Sequence, residues 1–160
     1  MNVRRPCVPT WYFGASEWEN NVMNQETSES SLYQRLGGIY PIAAVVDDFI
    51  DRIMVDPRLN ANPLVEEAHH RVSKAGFKYL VTEMVGWATG GPQKYTGRSM
   101  AESHKDLKIT ANEWTAFLDD FHQTMQAFDV PGAEEAELAA IINSTRGDIV
   151  VETADSAQRD

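Results

Sequence analysis

Apolar residues recur at three- and four-residue steps in four long stretches of this chain, and no stretch shows a sustained every-second-residue alternation. The first places Ile42, Val45, Val46, Phe49, Ile50 and Ile53 on one face from Tyr40 onward, the spacing of a buried helix stripe. Pro41 suits its first turn, and Asp56-Pro57 ends it, because a residue before proline avoids the helical region. The second stretch runs from Ser73 through Phe77, Leu80, Val81, Met84, Val85 and Ala88 to the breaker Gly90-Gly91-Pro92.

Two capping boxes follow, Ser99-x-x-Glu102 and Thr110-x-x-Glu113, each pairing a hydroxyl with a returning carboxylate at a helix start. The first opens a short helix carrying His104. The second opens a longer one with Trp114, Phe117, Leu118, Phe121, Met125 and Phe128 on one face, stopped at Val130-Pro131. A last helix uses Leu138, Ile141, Ile142, Thr145 and Ile149. The pattern predicts an all-α domain of four main helices and short pieces around one core. Residues 1–30 show no usable period and read as a flexible N-terminal extension; its aromatic group Trp11, Tyr12, Phe13 and Trp18 could dock on the domain or a partner. The domain is expected at residues 31–152, with a polar tail at 153–160.

Length and charge narrow the function classes. At 160 residues the chain suits one well-buried core. A net charge of −10 without any Lys/Arg cluster argues against nucleic acid and anionic membranes as partners. No apolar run approaches the roughly 20 residues that cross a bilayer. A single cysteine, Cys7, leaves no internal disulfide and no thiolate-rich metal site, and a cytoplasmic location is expected. The adjacent carboxylates Asp47-Asp48 and Asp119-Asp120 read as solvated helix faces. The glycine pairs follow no strand, which removes phosphate-loop readings.

His104 is the residue with chemistry to offer. A histidine near a helix end is most often structural or solvated, and apolar stripes are most often plain core. The surrounding residues go further. Ser31-Leu32-Tyr33-Gln34-Arg35-Leu36-Gly37-Gly38 precedes an apolar helix ending in Asp56-Pro57-Arg58, and Gly90-Gly91-Pro92 is followed by Tyr95, Thr96, Gly97, Arg98, Met100 and His104. With Ile109-Thr110 and the Val130-Pro131 break, this ordered set resembles the truncated (2-on-2) hemoglobins of group I over residues 31–151.

The resemblance implies a truncated globin fold, a 2-on-2 helical sandwich around heme b, with His104 as the proximal iron ligand. A neutral imidazole donates a lone pair to iron and leaves the opposite axial position for O2, NO or CO. By the same resemblance Tyr95, Arg98 and Met100 pack near the ring or its propionates. Phe49, Ile50, Phe77 and Val81 fall at distal positions, and Lys78 is expected at the pocket edge, reaching outward to a propionate.

The distal side departs from the family. Relatives often carry a tyrosine one residue after a phenylalanine on the second helix, whereas Phe49 is here followed by Ile50. Phe77, Leu80 and Val81 stand where polar residues are frequent. Residues 60–72 look several residues longer than usual and hold His69 and His70, read as a solvated face; a sharper reading makes His70 a distal ligand, with His69 or Tyr79 as alternates.

The leading function is reversible binding of small gases, as oxygen transport or storage. Alternatives are an NO dioxygenase or peroxidase-type enzyme served by an external reductase, and a heme-free helical interaction module. The sequence leaves the oligomeric state open.

Overall fold

Residues 30–151 of the protein are described from a computed structural model. The chain divides into two units, Met1–Ser30 and Ser31–Asp160, and every described helix belongs to the second. The expected N-terminal arm with its aromatic group, Cys7 and the polar tail lie outside the described residues.

Nine helices are found among the described residues: α1 Leu32–Arg35, α2 Ile39–Val55, α3 Pro57–Asn60, α4 Pro63–Arg71, α5 Lys74–Ala88, α6 Met100–His104, α7 Ala111–Ala127, α8 Gly132–Ser144 and α9 Arg146–Ile149. The only extended pairing among the described residues is one parallel bridge between Ile109 and Val150. The expected all-α class is what the structure has.

Helix α2 is the spine. It buries Ile42, Val46, Phe49, Ile50 and Ile53, and packs most extensively on α5 and next on α7. Phe49 meets Phe117 and Phe121 of α7 edge-on, with ring centres 5.2 and 6.3 Å apart, the geometry ring quadrupoles favour. Polar ties fix the same pairs of helices. Lys78 on α5 reaches Asp47 and Asp51 of α2 at 2.6 and 2.8 Å, and the wholly buried Thr124 of α7 donates to Asp48 at 3.1 Å.

The structure changes the sequence expectation at three places. Residues 60–72, to which apolar periodicity assigns no helix, are mostly helical: Asp56 and Asn62 each cap a helix that has proline in its first turn. Those two Asp-Pro and Asn-Pro dipeptides were the signal that apolar periodicity does not register. The last helix breaks at Thr145, where Ser144 and Thr145 hydroxyls donate to the Ile141 and Ile142 carbonyls at 2.6 and 2.7 Å and compete with the helix ladder.

The third difference is Asp120, which is buried instead of solvated. Burial, and then the negative charge of Asp56, push its carboxyl from 3.8 up to about 6. Against the upward push of burial, Arg58 holds the Asp56 carboxyl below its ordinary value. Arg58 clasps Asp56 at 2.8 Å and Asp119 at 2.7 Å, so it joins α3 to α7.

The two carboxyls act on stability with opposite signs. Asp120 holds its proton more tightly folded than unfolded, so its contribution favours the fold at acid pH and is lost as pH rises through about 6. Asp56 contributes stability above its unfolded value, lost as pH falls through its lowered folded value. Asp120→Asn removes the buried charge and leaves a donor for Asp56. The variant is expected to gain on the order of 1–2 kcal/mol at pH 7 and little at pH 4. Thermal melts at the two pH values check this, and equal gains at both would show that Asp120 does not titrate in this window.

Candidate functional site

Two glycines shape the loop that leads to His104. Gly90 adopts φ +88°, and a side chain on Gly91 would run into the Tyr33 ring and the Gln93 amide. Tyr33 N–H donates to the Thr89 carbonyl at 2.9 Å, which sets α1 against the end of α5. The loop then folds back on the outer face of α5: Thr96 Oγ1 donates to Glu83 at 2.7 Å, Tyr79 donates to the same carboxylate at 2.6 Å, and Tyr95 donates to the Arg98 carbonyl at 2.8 Å.

Helix α6 starts at Ser99, whose hydroxyl accepts from Glu102 N–H at 3.2 Å while the Glu102 carboxylate accepts from Ser99 N–H at 3.3 Å. Four residues into the helix, the Met100 carbonyl lies 2.8 Å from His104 Nδ1. A carbonyl oxygen only accepts, so Nδ1 carries the proton. In the neutral ring the lone pair is then on Nε2, and the bond holds the ring orientation from behind. His104 and Met100 are half-buried.

The apolar stripe of α5 is unusual in its exposure. Phe77, Leu80, Val81, Met84 and Val85 are all half-buried, and Gly86 is the one fully buried residue of the helix. Leu107 and Ile109, which follow His104, pack on the same core as Phe77, Val81 and Val85. Ile50, by contrast, is 1% exposed. A shallow groove of about 310 Å³ on the opposite side of α5, lined by Ile39, Tyr40, Ala43, Tyr79 and Glu83 among others, shares nothing with this stripe.

The other expected site residues divide. Phe49 backs Ile50 within the core, Tyr95 is half-buried and Arg98 is exposed. Lys78 spends its ammonium on Asp47 and Asp51, which raise its pKa, so its charge joins α5 to α2. His70 is exposed in the last turn of α4. Its neighbour His69 is the inward one, with Nδ1 2.8 Å from Asn60 Oδ1 and its pKa lowered by burial and then by His70. Tyr79 is committed to Glu83 on the outer face of α5.

Among the described residues no group of three His, Cys, Asp or Glu side chains could hold a metal ion.

The family model described as bacterial-like globin matches residues 31–151. The group 1 truncated hemoglobin GlbN of Synechocystis is 32% identical over 117 residues, 70% of this chain and 89% of the relative. The chain is a group 1 truncated hemoglobin of the bacterial-like globin family.

The group 1 truncated hemoglobin of Tetrahymena pyriformis is 25% identical over 120 residues, 75% of this chain and 94% of the relative. The crystal structure of that organism's truncated hemoglobin in the Fe(III) form superposes with a TM-score of 0.67 at 24% identity, covering 77% of this globin and all of the other chain. A 2/2 hemoglobin from Synechococcus, solved in the cyanomet state and with covalently attached heme, gives 0.67 at 25% identity over 76% and 98%. The expected 2-on-2 fold is thus observed, and heme is the cofactor of this family. The donor set fits it: one imidazole with a free Nε2 and an apolar wall left half-covered along α5. No helix among the described residues is long and apolar enough to cross a membrane.

Proposed function

We propose that this truncated hemoglobin is a cytoplasmic heme b protein that takes iron on His104 Nε2 and binds O2, NO or CO reversibly. The hydrogen bond from His104 Nδ1 to the Met100 carbonyl carries the reading, because it fixes the ring's orientation and leaves Nε2 on the side away from that carbonyl. When bound, heme would supply the iron chemistry that ligates a diatomic gas. Phe77 and Val81, half-buried on α5, would face the group with Ile50 behind them, and Met100, Tyr95 and Arg98 would lie on the His104 side. Lys78 stays with α2, and Phe49 supports Ile50 from behind.

The test is the absorption spectrum of the purified protein in the ferric, ferrous and CO-bound states. A Soret band, a five-coordinate ferrous form and a CO adduct support the reading; absence of a Soret band after expression with heme supplied overturns it and favours a heme-free helical module. A low-spin ferrous spectrum without added ligand would instead support an internal sixth ligand. For that second reading His69 is better placed than His70, since its ring is half-buried and held toward Asn60, and burial lowers its pKa. Turnover of NO with a supplied reductant separates an enzyme from a carrier.

A further inference from the structure

Helix α6 has five residues and buries none of them, so core packing does not orient the imidazole it carries. Its principal helical neighbour is α9, near the end of the described chain. The backbone just after it is held in an unfavourable shape, since Lys108 has φ +51°. Neighbours must sustain such a turn.

Two hydrogen bonds from distant parts of the chain do so, one on each side of Lys108. Asn62 Nδ2 donates to the Leu107 carbonyl at 2.9 Å, and Val151 N–H donates to the Ile109 carbonyl at 2.8 Å, beside the Ile109–Val150 bridge. Leu107 is itself tied back to the histidine, because its N–H donates to the His104 carbonyl at 2.9 Å. Asn62 is fixed in turn: its Oδ1 accepts from Leu64 N–H at 3.0 Å and caps α4.

We infer that Asn62 and Val151 are positioning residues that clamp the segment after α6 from two sides and thereby set the orientation of the His104 ring toward heme iron. The inference rests on His104 being the axial ligand. It assigns the Asn62 side chain two separable duties, with Oδ1 serving α4 and Nδ2 serving the histidine segment. It also makes the end of the described chain part of the ligand site through a single backbone N–H.

The separation of duties gives the test. Asn62→Asp and Asn62→Ser keep a capping oxygen and lose the donor. Val151→Pro deletes the N–H, and Val150, at φ −83° and ψ 124°, has the extended backbone that a following proline requires. The readouts are the histidine–iron stretching band in resonance Raman spectra of the ferrous heme-loaded protein, amide hydrogen exchange of α6 and residues 105–109, and the melting temperature.

All three variants are expected to melt near the wild type, to shift or broaden the histidine–iron band, and to exchange the α6 amides about 5- to 10-fold faster, while α2 and α7 stay protected. Agreement between Asp and Ser at position 62 assigns the effect to the lost donor instead of to a new charge. Wild-type band position and wild-type α6 exchange in all three variants would overturn the clamp. A wild-type protein that lacks the band altogether removes the His104 reading, and the exchange rates alone then decide the clamp.

Discussion

His104→Gly is expected to eliminate the histidine–iron stretching band and weaken heme retention at least about 100-fold, since even partners outside the ligand shell change metal affinity about 10- to 100-fold. Imidazole added in solution should restore the band, because the cavity left by the ring faces a fixed acceptor, the Met100 carbonyl, 2.8 Å from where Nδ1 lay. The fold should survive. His104 is only half-buried at the end of a five-residue helix, so glycine costs at most about 1 kcal/mol of helix propensity and removes no core contact of α2 or α7. Resonance Raman spectra and the rate of heme transfer to an apoglobin acceptor are the measurements. An unchanged spectrum would move the axial ligand elsewhere, with His69 the next residue to replace.

Ile50→Tyr should slow O2 dissociation about 10- to 100-fold. The residues assigned to the distal wall in the proposed pocket, Ile50, Phe77, Leu80 and Val81, carry no side-chain hydrogen-bond donor, so the wild-type protein is expected to release O2 quickly and oxidise readily. One hydroxyl donating to a partly charged ligand in a dry pocket is worth about 1.5–3 kcal/mol, which converts to that range in rate. The substitution also costs stability, because a larger ring enters a site 1% exposed, and overpacking of that kind costs about 1–3 kcal/mol. Leu80→Gln provides a donor from a half-buried position on α5 with less crowding. Stopped-flow displacement of O2 decides: slow release by the wild type, or no change in either variant, would show that the ligand already has a donor from outside this wall.

Much of the fold was legible because its helices are amphipathic and capped. The α2 stripe predicted from Ile42 to Ile53 is the buried stripe, and the Ser99 and Thr110 capping boxes form as their spacing requires. The α7 stripe was less uniform than periodicity suggested, since Trp114, Phe121 and Met125 are buried whereas Phe128 is 41% exposed. Helices α3 and α4 escaped detection because a four-residue helix has no period and α4 buries only Val65. Their markers are chemical, an Asp or Asn before proline.

Among the expected site residues, the local setting of His104 was legible in the sequence, and the partners of the charged side chains were not. Lys78 carries the right chemistry for a propionate, and in this structure opposite charges on α2 lie within 3 Å of its ammonium, so it joins two helices. Asp119 and Asp120 are adjacent in sequence, yet one is half-exposed against Arg58 and the other is buried beside Asp56, a difference set by which face of α7 meets α3.

The sequence alone determined the long amphipathic helices, the Ser99 and Thr110 caps and the local bond between His104 Nδ1 and the Met100 carbonyl. All of these rest on contacts within about four residues, such as Ser99 with Glu102 and Met100 with His104. Tertiary structure alone decided the partner of Lys78, 31 residues away, the burial of Asp120, and the reach of Asn62 to Leu107 across 45 residues. Those contacts depend on how helices cross, and neither apolar spacing nor any local motif encodes that geometry.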